Sequence, residues 1–431
     1  MKTTLLIFGI TGDLSRRKLL PALREIVRTG QFDDLEIVGV SRREVDVREI
    51  LSSSLGDDSL EGRVAIETMD LDQLEGYERL AEKYSPNEEA QLLVYMSVPP
   101  DTVVGIVDRL GEVGLNTPRV KLLFEKPFGT NLLTASETIA RTNHRFSEDQ
   151  VYRIDHFLAK EMAQNIVALR GGNALLSNIW SNQFIERIEV VAYETLGIEG
   201  RGVFYEQTGA LRDVVQGHLM QLLSLALMDI PHQFDWSELP AYRLHALRHL
   251  YSLDPRLAIR AQYDSYRDEV GSHDSTVETF VSMELASRDP RWEGVRLQVV
   301  TGKCLDRKGT EIRVHLRKQH DAQSNCIVFR IQPHEGVEIE LFVKKPGYAS
   351  EFETRMLRFN YPEDEILPDA YEHVLIDAMR SRKSLFASSD EVLHAWQIIE
   401  PVQSLWLTAE SPLRFYPKGS SPDSIMADAR H

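Results

Sequence analysis

The chain has 431 residues, 66 of them acidic and 49 Lys or Arg, for a net charge of −17. That length predicts about two or three domains around a large buried core, and the charge excludes nucleic acid or an anionic membrane as a general partner while leaving room for a local basic pocket. No stretch is long and apolar enough to span a bilayer, and Cys304 and Cys326, with neither metal-ligand spacing nor a disulfide framework, predict a reducing, cytoplasmic setting and no metal.

The apolar run near Met1 suits a buried first strand better than a signal peptide, because Gly12-Asp13 interrupts it. Residues 3–8 predict that strand. Gly9-Ile10-Thr11-Gly12-Asp13-Leu14 follows, and then Leu19, Leu20, Leu23, Ile26 and Val27 keep helical spacing. Strand, glycine turn and helix form the unit in which a backbone comes close to a pyrophosphate and the open N–H groups of a helix start receive it. Alone, Gly-x-x-Gly is weaker than the full dinucleotide fingerprint and equally suits a tight turn. A second strand at 35–40 ends in Ser41-Arg42-Arg43, where a Rossmann unit that prefers NAD carries an acid for the ribose hydroxyl; two arginines there predict NADP, although a solvated strand end would also hold them.

Residues 64–69 predict a third strand, 74–84 a helix, and 92–98 a buried strand stopped by Pro99-Pro100, with Asp101 expected to cap the next helix. The strand at 120–124 delivers Glu125-Lys126-Pro127-Phe128-Gly129 at its carboxyl end, where open parallel sheets bind ligands; a surface turn explains Pro127 and Gly129 as well. Another helix is expected at 132–145. Strands alternating with helices mean a doubly wound parallel sheet, so residues 1–155 read as an α/β Rossmann coenzyme domain.

Arg153-Ile154-Asp155-His156-Phe157-Leu158-Ala159-Lys160-Glu161 gathers an acid, an imidazole and an amine. The spacing of Ile154, Phe157 and Leu158 suits a helix start, on which His156 and Lys160 share a face that can meet an anion while Asp155 points elsewhere. For this stretch by itself, a solvated helix start is the simpler reading. Beyond it, alternating runs at 186–192, 276–285, 296–302, 311–316, 327–332 and 337–343 predict a large, mainly antiparallel sheet, with helices near 211–228 and 370–380 and a loose polar tail at 419–431. Residues 156–431 thus read as an α+β domain, one face of its sheet being available as an oligomer interface.

Three of these motifs, at 9–14, 125–129 and 153–161, together resemble the glucose-6-phosphate dehydrogenase family. The likeness continues through Arg201-Gly202-Val203-Phe204-Tyr205-Glu206 with Gly209, Arg212-Asp213-Val214-Val215-Gln216-Gly217-His218, Ser275-Thr276-Val277-Glu278-Thr279-Phe280, Thr301-Gly302-Lys303 and Ile331-Gln332-Pro333. Lys344-Lys345-Pro346-Gly347, Asp369-Ala370-Tyr371-Glu372 and Tyr416-Pro417-Lys418-Gly419-Ser420 extend it, in the same order, over nearly the whole chain.

The resemblance implies a substrate-binding and oligomerising second domain, a homodimer or homotetramer, and oxidation of glucose 6-phosphate at C1 to 6-phosphogluconolactone, the first step of the oxidative pentose phosphate pathway. It implies NADP as hydride acceptor, with NAD used less efficiently. It makes His218 the general base, oriented by Asp155: hydride leaves C1 only as the C1 hydroxyl loses its proton, a neutral imidazole can take that proton, and a carboxylate stabilises the imidazolium. Without the resemblance, His218 would read as a core histidine among Val214, Val215, Leu219 and Leu222. His156, Lys160 and Lys303 are implied to hold the sugar phosphate, Glu194 and Asp213 the sugar hydroxyls, with Gln332 and Lys308 also at the substrate. Lys126 would bridge sugar and nicotinamide beside Pro127 as a hinge, and Gly9, Thr11, Gly12, Asp13, Leu14, Arg42 and Arg43 would contact the coenzyme.

Phe157 stands where the family usually has a tyrosine, Ala159 where it has glycine, Gly217 where it has asparagine and Lys308 where it often has arginine, and the segment near 262–269 is trimmed. These departures favour, as a second reading, the same chemistry on another or modified hexose phosphate. A third is a non-catalytic nucleotide and sugar-phosphate sensor, against which the retention of Asp155, Lys126 and His218 stands.

Overall fold

The computed structural model describes residues 2–429 apart from 58, 232, 319–323, 363–366 and 409–410. The chain divides into two compact units, residues 1–159 with 368–392 and residues 160–367 with 393–431. The division therefore falls after Ala159 and not after Asp155, and the first unit takes in a late segment that composition gave no reason to separate from the second.

In the first unit, strands β1 (Lys2–Phe8), β2 (Leu35–Ser41), β3 (Val64–Thr68), β4 (Ala90–Met96), β5 (Val120–Phe124) and β6 (Val151–Ile154) lie in the order β6-β5-β4-β1-β2-β3, and Phe386–Ala387 pairs antiparallel with β6 at the edge. All neighbours among β1 to β6 are parallel. That is the doubly wound dinucleotide-binding order, with its reversal between β1 and β4. The strands read as unbroken apolar runs because both faces are covered: Leu5 and Ile7 enter one core while Leu6 and Phe8 enter the other. Ala370, Val374, Leu375 and Ala378 of the helix Ala370–Met379 complete the first of these cores, so this helix belongs to the first unit and not to the second.

Two local expectations are corrected. The helix after β4 is Pro100–Glu112 with Pro99 at its N-cap; Asp101 lies in its first turn and caps nothing. The 153–161 stretch is not a helix start. β6 runs through Ile154, the Asp155 carboxylate accepts the Phe157 N–H at 2.9 Å, and its carbonyl accepts the Leu158 N–H. This turn delays the helix to Glu161–Gly172, with Lys160 as its N-cap, so His156 and Lys160 do not share a helix face.

In the second unit, β7 (Ile185–Tyr193), β8 (Leu250–Ser252), β9 (Ile259–Tyr263), β10 (Phe280–Ser287), β11 (Arg296–Gly302), β12 (Gly309–Leu316), β13 (Cys326–Gln332), β14 (Gly336–Lys344) and β15 (Phe352–Asn360) build a second sheet. Its order is β15-β14-β13-β12-β7-β11-β10-β9, followed by Arg414–Tyr416, and β8 adds to β10. Pairing is antiparallel except between β7 and β11 and between β9 and Arg414–Tyr416. The strand expected from 276 begins only at Phe280; before it, the Val277 carbonyl is taken by the Gln262 side-chain amide at 2.8 Å and not by a neighbouring strand. The tail is not loose as far as it is described: Ser421 caps the helix Pro422–Asp428, and Ile425 is buried with Phe280 and Tyr416. No helix among the described residues is long and apolar enough to cross a membrane.

The first unit also packs two lysines, Lys121 buried and Lys383 half-buried, against the Tyr152 ring. Lys121 Nζ donates to Gln91 Oε1, the Ala378 carbonyl and Ser381 Oγ, each at 2.7 Å. Lys383 Nζ donates to the carbonyls of Glu148 and Val151 and lies 3.8 Å from the Tyr152 ring centroid. Burial lowers Lys121 to about 8. It lowers Lys383 to about 7, the Glu148 carboxylate opposing the shift and Arg153 adding to it. An unfolded lysine titrates near ~10.4, so between about pH 7 and that value the unfolded chain binds more protons, and stability rises with pH. Lys383→Met should flatten this rise in the urea midpoint measured from pH 7 to 9.5; an unchanged slope would contradict it.

Candidate active site

The first unit presents a ligand end where β1, β2, β5 and β6 finish. Gly9 follows β1 with φ +85°, and a Cβ there would lie 2.1 Å from the Ser97 carbonyl oxygen just past β4. Only glycine lets these two backbones meet at the reversal in strand order. Gly12 N–H returns to the Gly9 carbonyl at 2.9 Å, and Ser15 Oγ donates to the same carbonyl at 3.0 Å. A π-helical turn Ser15–Leu19 opens from Leu14 and continues as the helix Leu20–Arg28. Thr11 and Asp13 are exposed on this turn, with Asp13 paired to Arg17 at 3.5 Å. Arg42 and Arg43 are exposed immediately after β2, and neither forms an ion pair with any described residue.

Past β5, the Lys126-Pro127 bond is cis. Behind this turn Glu125 accepts the hydroxyls of Tyr95 and Tyr371; burial pushes its carboxyl up while those two hydrogen bonds and Lys126 pull it back. Asp155, buried to 2% exposure past β6, adds a negative charge to the same cluster. His156 is half-buried and its ring lies 4.6 Å from that of Phe157, itself buried.

In the second unit a different set gathers at one end of the sheet. Glu194 follows β7, Lys303 follows the parallel β11, Lys308 precedes the antiparallel β12, and Gln332 closes β13, its amide on Thr310 Oγ1 at 3.2 Å. Lys303 is only 3% exposed and donates to Glu194 Oε2 at 2.6 Å, with its Nζ 5.3 Å from the Tyr205 ring centroid. Lys308 is exposed. Asp213 and His218 project from the π-helical segment Leu211–Leu219, in which His218 is buried to 8% exposure. Lys160 sits at the N-cap of Glu161–Gly172.

The spacing of residues gave no sign of the groups that support this cluster. Tyr205 has a buried hydroxyl with no hydrogen-bond partner among the described residues, and burial, then Asp213, Glu278, Tyr416 and Glu194, hold its phenol far above the usual range. Glu278 accepts the Leu211 N–H at 2.9 Å and so starts the π-helical segment, and Gly209, at φ +62°, makes room for it: a Cβ there would lie 2.4 Å from Glu278 Oε1. Tyr205 and Glu278 stand inside quoted motifs, but their partners are too distant in the chain for any periodicity to reveal.

A 3-2-1-4-5-6 parallel sheet with a glycine turn at its switch point, joined to an α+β unit with a clustered acid, lysine and imidazole, defines the class of dinucleotide-dependent oxidoreductases. Models of the glucose-6-phosphate dehydrogenase NAD binding domain and of the glucose-6-phosphate dehydrogenase C-terminal domain match residues 6–165 and 167–429. The glucose-6-phosphate 1-dehydrogenase of Dickeya dadantii is 33% identical over 96% of this chain and 94% of its own. A solved glucose-6-phosphate dehydrogenase in complex with its substrate glucose-6-phosphate has a TM-score of 0.90 at 29% identity, covering 100% of this chain and 98% of that one. For the glucose-6-phosphate 1-dehydrogenase from Mycobacterium avium the TM-score is 0.88 at 31% identity, over 99% and 96%. The chain belongs to the glucose-6-phosphate dehydrogenase family.

Gly9→Ala combines a positive φ with the clash at Ser97, and should cost roughly 1–3 kcal/mol or more of stability. Gly30→Ala is the control, since φ is +68° but nothing lies within 4 Å of its Cβ. Urea midpoints should fall further for Gly9→Ala; equal losses would show that the close approach carries no weight.

Proposed function

We propose that this chain is a glucose-6-phosphate 1-dehydrogenase that oxidises glucose 6-phosphate at C1 to 6-phosphogluconolactone and prefers NADP to NAD. The match of both family models along the chain carries the reading. The coenzyme fits the residues present: the Gly9 turn is a cradle that a Cβ would fill, and two arginines with no ion pair among the described residues follow β2. Bound NADP would supply the hydride acceptor. Gly9, Thr11, Gly12, Asp13 and Leu14 would receive its pyrophosphate, Arg42 and Arg43 its 2'-phosphate, and Lys126 with Pro127 would contact its nicotinamide end.

His218 takes the proton of the C1 hydroxyl as C1 gives up its hydride, and the Asp155 carboxylate stabilises the imidazolium. His156, Lys160 and Lys303 hold the dianionic phosphate. Glu194 and Asp213 accept from the sugar hydroxyls, and Gln332 and Lys308 complete the substrate contacts. Lys303 already has Glu194 as a partner, so in this reading the substrate meets an ion pair and not a lone cation.

We also infer a cytoplasmic homodimer or homotetramer. The free, buried Cys304 and Cys326 support a reducing setting, and the apolar Leu341, Leu357 and Phe359, exposed on β14 and β15, support association. A second reading, the same reaction on another hexose phosphate, is favoured by Phe157, whose buried ring offers no hydroxyl beside His156.

The test is absorbance at 340 nm with a panel of hexose phosphates, plain glucose, and NADP or NAD. Reduction of NADP with glucose 6-phosphate and none with glucose is expected; better turnover of another sugar phosphate would favour the second reading, and silence throughout would favour a sensor. His218→Ala should lower kcat by roughly 10²–10⁴-fold with NADP binding retained. Arg42→Ala should weaken NADP by about 10- to 100-fold, the worth of a charged hydrogen bond, and leave NAD nearly unchanged. An unaltered coenzyme ratio would remove Arg42 from that role.

A further inference from the structure

The oxidised and reduced forms of a nicotinamide coenzyme carry the same phosphates and differ by one positive charge, on the nicotinamide ring. Groups that hold phosphate cannot tell the two forms apart; charge at the nicotinamide end can. In the reading proposed above, on which this inference rests, that end meets Lys126 and Pro127. A lysine there disfavours a cationic ring, so a carboxylate beside it decides which redox form is held more tightly.

Glu125 stands in that place. It directly follows β5, at the end where open parallel sheets take ligands, and it is half-buried and not sealed in the core. Its charged and titratable neighbours all belong to the first unit. Tyr95 of β4 donates its hydroxyl to Glu125 Oε1, Tyr371 of the helix Ala370–Met379 donates a second hydroxyl, Lys126 adjoins it in the chain, and Asp155 past β6 adds a like charge.

This setting suits an anion whose charge can be removed. Burial, and then Glu125 itself, push both phenols far above the usual range, so each keeps its proton and gives it to the carboxylate. Two donors on one carboxyl group match the ionised form, which accepts at both oxygens, whereas a neutral carboxyl needs an acceptor for its own proton. Burial and Asp155 push the other way and leave the Glu125 carboxyl above the usual glutamate range, so its charge is lost at a higher pH than that of an exposed glutamate. We propose that the Glu125 carboxylate sets the redox preference of the coenzyme site, offsetting Lys126 so that the cationic, oxidised nicotinamide is favoured over the neutral, reduced one. Its charge then promotes uptake of the reacting form and release of the product form.

The test is calorimetric titration of the whole chain with NADP and, separately, with NADPH, in the absence of sugar phosphate and from pH 8.5 down to 5. At the alkaline end Glu125→Gln should weaken NADP about tenfold and change NADPH less than about twofold. Arg42→Ala is the control: the 2'-phosphate is common to both forms, so both should weaken alike and their ratio should stay. In the unaltered chain the preference for NADP should decline as the pH falls through the Glu125 titration, because the carboxylate charge is present above it; in Glu125→Gln it should be flat. Tyr371→Phe takes one donor from the anion without touching a residue assigned to the coenzyme, and should move that decline to higher pH. Equal weakening of both forms in Glu125→Gln, or a decline that Tyr371→Phe leaves in place, would overturn the proposal while the coenzyme reading stood. Binding of neither form by the unaltered chain would overturn both.

Discussion

The architecture of the first unit depends on one close approach, that of the Gly9 backbone to the Ser97 carbonyl. β1 and β4 are neighbours at the point where the strand order reverses, and a side chain on Gly9 would push their carboxyl ends apart. Because they meet, Ser15 reaches both the Gly9 carbonyl and the Ser97 hydroxyl as the helical turn Ser15–Leu19 begins. Arg42 and Arg43 owe their position to the same geometry, since β2 lies beside β1. A local steric condition thus shapes the carboxyl end of the sheet at its switch point.

The second unit uses a different device. Its sheet end collects residues from β7, β11, β12 and β13, and the charged ones would repel or desolvate one another without support. Lys303 is nearly buried, and its charge is balanced by Glu194 and by the face of Tyr205. Glu278 in turn holds the start of the segment that carries Asp213 and His218. The segment that carries Asp213 and His218 is therefore held by a residue outside the proposed substrate contacts.

Much of the first unit was legible because parallel strands covered on both faces leave unbroken apolar runs. β5 and the helices Leu74–Tyr84 and Leu132–Arg145 have the bounds that their patterns predict. β9, β15 and Arg414–Tyr416 were not legible: β15 is largely exposed and mixes charged with apolar residues, and the other two are short. The 153–161 stretch misled for a physical reason. Its apolar spacing fits a helix, but Asp155 binds the Phe157 N–H and turns the chain first.

The sequence by itself determined the doubly wound sheet, the glycine turn, the arginines past β2 and the family, because each rests on residues close together in the chain or on motifs in a fixed order. Tertiary structure alone decided that Ala370–Met379 closes the core of the first unit, that Glu125 is held by Tyr95 and Tyr371, that Lys303 is paired to Glu194, and that Ile425 anchors the tail. These pairings join residues separated by long stretches of chain, and the burial that makes them worth forming exists only once the sheets are assembled.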